Sequence, residues 1–436
     1  MLLQNPDYKQ TVIIGGGTAG WLTALCMSKL RNHGSQIWLI ESKEVPNVGA
    51  GEGTTPHIIF LLRFLGISLD EFYEKTLATK KYGVEFENWS GEGESFKHYF
   101  IGNKGNDYAY HFDSQKIIQF LKEKALKANV KYIQDDYVGC FKENENITSI
   151  ELKENGILNT DFVFDCSGFG RLLIGKEYNT KWIDCGKYLP IKAALPFTME
   201  RTEKEERKDV TFTRAVALEH GWLWMIPLQT RWGCGYCHDS DLVSEEEARQ
   251  EVEYYLNRKV FSRFSRGRIQ FNTGYYEKLF VGNCMAVGLS GGFFEPLEAT
   301  SIMISCMQLM FFIRAQGYDI DHKKFNNTML KINEQTLAFL FYHYISKKED
   351  TKLWRSFDKR PIPKLLKKLI HPNGSLKNIT KSQYKKILQA DEIWELVFHI
   401  DSWKTFSKNL IDNHTDYTHN LYSESLWGSL KEKLGF

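Results

Sequence analysis

The feature that most constrains this chain is a glycine cluster set between two different periodicities. Residues 11–14, TVII, form a short β-branched run, and GGGTAG follows at once, with Gly15, Gly17 and Gly20 in G-x-G-x-x-G spacing. Beyond it, AGWLTALCMSKL places Ala19, Leu22, Leu25, Cys26, Lys29 and Leu30 at helical intervals. A strand, a glycine turn and a helix in this order cradle a dinucleotide pyrophosphate. Gly15 permits the tight turn, Gly17 lets the backbone approach the phosphates, and Gly20 lets the helix pack close to the sheet. Thr18 and Ala19 lie at the helix start, whose backbone N–H groups face the phosphates. A second strand, QIWLIE, ends at Glu41, placed to accept hydrogen bonds from a ribose. This unit suits NAD and FAD alike.

Later segments favour FAD. VGAGEGTTP, carrying Gly49 and Gly51, is a second glycine-rich loop. FVFDCSGFG is an apolar strand ending in Asp165, and LFVGNCMAVGLSGGFFEPLEATS brings Gly288 before an apolar helix, IMISCMQLMFF. Nucleotide contacts split between the chain's start and a remote segment suit a flavin that extends far from its adenine. No second G-x-G-x-x-G lies between a strand and a helix, so no dedicated nicotinamide site is expected.

With 56 basic and 54 acidic residues, the net charge of +2 argues against a nucleic-acid surface. The opening MLLQNPDYKQ lacks a basic stretch followed by an apolar one, and no uninterrupted apolar run approaches the roughly 18 residues of a membrane span. Eight scattered cysteines fit a reducing compartment, so a cytoplasmic, membrane-free protein is expected. Cys234 and Cys237 have redox spacing in CGYC, but they sit in an alternating strand-like run, and no metal-ligand spacing accompanies them.

At this point the chain resembles the flavin-dependent halogenases of the tryptophan-halogenase type. GGGTAGW matches their FAD loop, LATKKYGVEFENW the segment of their active-site lysine, GWLWMIP their W-x-W-x-I-P signature, and FFEPLEATS the segment of their active-site glutamate. YHFDS, DCSGFG and HYISKKEDTKLWRSF also look like family segments, so the likeness runs over about residues 8–357. It implies that FADH2, O2 and a halide ion (chloride, bromide or iodide) yield hypohalous acid at a flavin C4a-hydroperoxide. That acid then crosses the protein to a small free aromatic, indole-like or phenol-like. The resemblance assigns Lys81, rather than Lys80, to the far end of the passage, by hydrogen bond or as a haloamine. It makes Glu298 the carboxylate that accepts the ring proton, and places the halide at Thr300 and Ser301. Trp222, Trp224, Ile226 and Pro227 line the passage and keep the aromatic from the flavin. His111 either helps position the flavin side or is a core histidine. A separate NAD(P)H-dependent flavin reductase is implied, a homo-oligomer is compatible, and an FAD-dependent aromatic monooxygenase is the alternative.

The expected fold is mixed α/β. Residues 1–330 form a Rossmann-like FAD module of the flavin monooxygenase type with a strand-rich substrate-side insertion at about 180–275. Residues 331–436 form a helical region that covers the substrate pocket.

Overall fold

The apolar runs TVII, IWLI and FVF all become strands buried on both faces, which is why they read as continuous rather than alternating. They meet in a six-stranded sheet. Its order is Phe280–Val281, Cys284–Ala286, Phe162–Asp165, Gln10–Ile14, Gln36–Glu41 and Lys131–Gln134. All pairs are parallel except the outermost hairpin, Phe280–Val281 with Cys284–Ala286. The chain is seen in a computed structural model that describes residues 9–31, 33–45, 51–100, 108–202, 210–261, 267–314, 321–388 and 397–411.

A second sheet has seven strands. Its order is Ile269–Gln270, Ala193–Glu200, Arg231–His238, Gly221–Pro227, Phe212–Ala217, Gly83–Glu87 and Ser95–Tyr99. It therefore recruits two strands from early in the chain, and Phe212–Ala217 runs parallel to Gly83–Glu87. A small antiparallel sheet joins Glu52–Gly53, Ala109–Phe112 and Thr79–Lys81.

Helices fill the remaining faces. Thr18–Leu30 and Ser114–Lys127 pack together, while Thr300–Arg314 runs beneath the glycine loop. Among the described residues, one helical stretch, Leu297–Arg314, is long and apolar enough to cross a membrane, but 61% of it is buried within the fold. The 22-residue helix His322–His343 carries an unbroken buried run from Gln335 to His343 and is overlaid by Ile400–Phe406.

Candidate active site

The glycine loop opens onto a cavity of about 420 Å³, lined by Gly15, Gly17, Thr18, Ala19, Glu41 and Gly288 among others. Gly15 has φ +118°, and a Cβ there would sit 2.1 Å from the Cys166 carbonyl oxygen. At Gly20 a Cβ would strike the Gly15 carbonyl oxygen at 1.8 Å, so this glycine serves helix packing and does not line the cavity. Gly17 faces open space, with nothing within 4 Å of its would-be Cβ, and the Thr18–Leu30 helix starts there without a side-chain cap. Uncapped N–H groups beside that space suit a pyrophosphate. The Glu41 carboxylate lies against Gly16, where a Cβ would come within 2.3 Å of its Cδ, with Tyr132 Oη at 2.8 Å and Lys122 Nζ at 3.3 Å, both on Oε2. These residues fit FAD. Gly49 lies outside the described residues.

Asp165 departs from its expected place at the cofactor. Its side chain is fully buried and saturated: Oδ1 accepts from Ser167 N and Oγ, and Oδ2 from Leu173 and Ile174 N. It ties the following turn to the sheet, which leaves no lone pair aimed at a ligand.

A second cavity of about 250 Å³ adjoins the first, and Glu52, Phe169, Leu289, Ser301 and Ile302 line both. Gly51 lies on this second cavity, not on the nucleotide one. Strand alternation in Gly221–Pro227 sends Trp222, Trp224 and Ile226 to it, while Leu223 and Met225 enter a separate core on the opposite face. The two indoles stand 6.2 Å apart at 56°. Pro227 falls on the wrong parity and does not line the passage; its carbonyl accepts the Thr79 hydroxyl at 2.5 Å. Trp222 Nε1 finds a partner in the buried Glu295, at 3.4 Å.

The same alternation, in Thr79–Lys81, leaves Lys80 outside and turns Lys81 into the second cavity, buried. Burial draws the Lys81 pKa down to about 8, opposed by the Glu298 carboxylate. His111 is fully enclosed, bonded to Thr79 Oγ1 and Thr213 Oγ1, and is the satisfied core histidine of the two readings.

Glu298 sits in a left-handed backbone conformation (φ 60°) followed by another at Ala299 (φ 57°). Two adjacent non-glycine residues there are costly, and such strain gathers at functional sites. The side chain lines the second cavity and also a third of about 80 Å³, bordered by His98, Phe100, Phe398, His399 and Ser402. Its Oε1 lies 2.8 Å from His98 Nδ1 and 3.3 Å from His343 Nε2. Burial alone would raise its pKa, yet the two imidazoles hold it well below the ordinary carboxylate range.

The sequence model of the tryptophan halogenase family matches residues 10–106 and 101–407. The chain belongs to that family. Tryptophan 6-halogenase SttH of Streptomyces toxytricini is 26% identical over 440 residues, covering 84% of this chain and 83% of that protein. Tryptophan 7-halogenase RebH of Lentzea aerocolonigenes is 27% identical, covering 79% and 78%. Among solved structures, the flavin-dependent halogenase BrvH of Brevundimonas sp. BAL3 superimposes with a TM-score of 0.80 at 26% identity, over 93% of this chain and 90% of that one. The mixed α/β fold and the flavin-dependent halogenase reading both follow, and FADH2- and O2-dependent halogenation of aromatics is this family's general reaction.

Within this candidate site, the structure narrows one assignment. The resemblance puts Thr300 at the halide with Ser301, but its backbone N–H and its hydroxyl both bond the Leu297 carbonyl oxygen. Ser301 lines both the nucleotide cavity and the tryptophan cavity. The residues that pin this halogenase turn carry no mark in the sequence: His343 and Tyr344, consecutive at the end of the long helix, hold Glu298 and Glu295 respectively. Tyr344 Oη donates to both Glu295 oxygens, at 3.0 and 2.8 Å. HYISKKED resembles a family segment, but nothing local in it points to two acids 45 and 49 residues upstream.

Proposed function

We propose that the chain halogenates a small free aromatic, indole-like or phenol-like, using hypohalous acid that passes between two chambers. The observation that carries this is the placement of Lys81 and Glu298 on a cavity that shares a wall with the nucleotide site. Reduced flavin bound in the glycine-loop cavity supplies, with O2 and halide, an electrophilic halogen. Everything else falls to the chain's own side chains. Ser301 offers the halide a polar edge where the two cavities meet. Trp222 and Trp224 fill the passage enough to admit hypohalous acid but not an aromatic ring. Lys81 Nζ holds the oxidant beside the substrate, by hydrogen bond or as a haloamine, and a pKa of about 8 gives it both protonation states near neutrality. Glu298 accepts the ring proton, with the aromatic seated in the small cavity between His98 and Phe398.

Reduced flavin is supplied by a separate NAD(P)H-dependent reductase, and the protein works in the cytoplasm. The test incubates the protein with FAD, NADH, a generic flavin reductase and each halide in turn, against indoles, phenols and anilines. Mass spectrometry should find halogenated product, and Lys81→Ala should abolish it while peroxide still forms. A hydroxylated product independent of halide would instead support the aromatic monooxygenase.

A further inference from the structure

A role for His343 rests on the reading of Glu298 as the base for the substrate's ring proton. Two imidazoles meet the same oxygen, Oε1, and the other nitrogen of each ring decides where its hydrogens lie. His343 Nδ1 is 2.7 Å from the Phe339 carbonyl oxygen. A carbonyl only accepts, so Nδ1 carries a hydrogen. A bare Nε2 would then aim its lone pair at a carboxylate oxygen 3.3 Å away, in a contact where the His343 side chain is fully buried. Such a like-on-like contact is repulsive in a low-dielectric interior, so a proton must lie between the two atoms. His98 is under no such constraint. Its Nε2 is 3.0 Å from Ser402 Oγ, a hydroxyl that can donate or accept, so either ring state leaves Nδ1–H to donate to Glu298.

We propose that His343 and Glu298 share one proton, and that this buried pair, rather than an isolated carboxylate, takes the ring proton of the substrate. Once halogen is bonded to the ring carbon, the C–H electron pair returns to the ring and the proton forms an O–H bond on Glu298 Oε2. The shared proton stays with His343, the pair gains one positive charge, and the surplus proton leaves after the product, through the vacated cavity lined by His98 and Ser402. His343 is a positioning residue in this scheme, since it acts only through Glu298.

The groups facing the pair are few. Lys81 approaches from the Thr79–Lys81 strand, His98 from Ser95–Tyr99 and Ser402 from Ile400–Phe406. His57 and His399 also border the small cavity that Glu298 lines, and around the imidazole the Phe406 ring lies 3.8 Å and the Phe86 ring 5.3 Å away, centroid to centroid. Burial pulls the His343 pKa below its ordinary value, while Glu298 and the Phe339 carbonyl pull it back up.

His343→Gln tests the pairing, because a Gln amide can donate to Oε1 but cannot take up or release the proton. The acid limb of the kcat profile should move to higher pH by about 1–3 units as Glu298 loses a charged neighbour, with KM for the aromatic unchanged. Independently of turnover, 15N NMR of the intact protein should show the His343 Nε2 signal change type in Glu298→Gln. That comparison also decides the matter if His343→Gln fails to fold. An unshifted limb in folded His343→Gln, or a His343 Nε2 signal indifferent to Glu298→Gln, overturns the proposal. Glu298→Ala separates the two levels: full halogenation in that variant removes the base reading itself, whereas its inactivity beside an unshifted His343→Gln removes only the pairing.

Discussion

The Trp224 indole occupies the space in which residue 235 would carry a Cβ. The two residues pair across neighbouring strands, and an ideal Cβ on Gly235 would lie 2.0 Å from the Trp224 ring. This glycine sits inside CGYC, and the structure explains the motif without redox chemistry. Cys234 enters one core and Cys237 the other, on opposite faces of the strand.

Gly235→Ala should therefore displace Trp224 from the passage. Overpacking of this kind costs about 1–3 kcal/mol, to be read as a lowered melting temperature. The more telling measurement is the ratio of halogenated product to O2 consumed, which should fall as the passage loses its shape. An unchanged ratio with a lowered melting temperature would make the contact purely structural.

Lys81 should titrate apart from the other lysines. Its ammonium is disfavoured by burial, so its proton is lost near pH 8. Reductive 13C-methylation followed by NMR should resolve one lysine signal with a midpoint near that value, absent in Lys81→Met.

Thr300 and Ser301 should respond differently to loss of the hydroxyl. Thr300 directs both donors to Leu297, so Thr300→Val should leave the KM for halide nearly unchanged. Ser301→Val places a methyl group where the cavities meet, and should raise the halide KM about tenfold or more, equivalent to about 1.4 kcal/mol. Halide-dependence curves for the two variants check this directly.

Glu295 predicts a pH dependence of stability. Burial raises its pKa to about 7 from 4.5, with the Tyr344 and Trp222 hydrogen bonds opposing. The folded state thus favours the protonated acid. The stability it contributes is full below about pH 4.5 and is lost as pH rises to about 7, with a ceiling of about 3 kcal/mol. Glu295→Gln should flatten melting temperature against pH across that window.

What the sequence disclosed was mostly what short-range periodicity can carry. The tasks of Gly15, Gly17 and Gly20 follow from a turn between strand and helix. Strand parity puts Trp222 and Trp224 together, whereas Lys81 is told from Lys80 in the sequence only by the resemblance to a family segment. The same parity, applied as far as Pro227, would have removed it from the passage. Partnerships across long separations were invisible: His98 meets Glu298 over 200 residues, and neither residue's neighbours announce the other. Asp165 misled because a carboxylate after a strand looks the same whether it serves a ligand or the turn behind it. Nothing in CGYC marks Gly235, since its purpose lies in the ring of the adjacent strand.

The wall common to the two cavities has a bearing on efficiency rather than rate. Five residues, Glu52, Phe169, Leu289, Ser301 and Ile302, face both the nucleotide cavity and the tryptophan cavity, so on the proposed reading the oxidant is made on one side of them and spent beyond the other, in the small cavity past Glu298. Nothing obliges the two events to keep time with each other. An oxidant released while no aromatic waits beyond Lys81 is reducing power wasted, however fast each chamber works. The quantity this partition governs is the yield per electron pair, and a cell holding this protein gains most when substrate arrives before oxygen does.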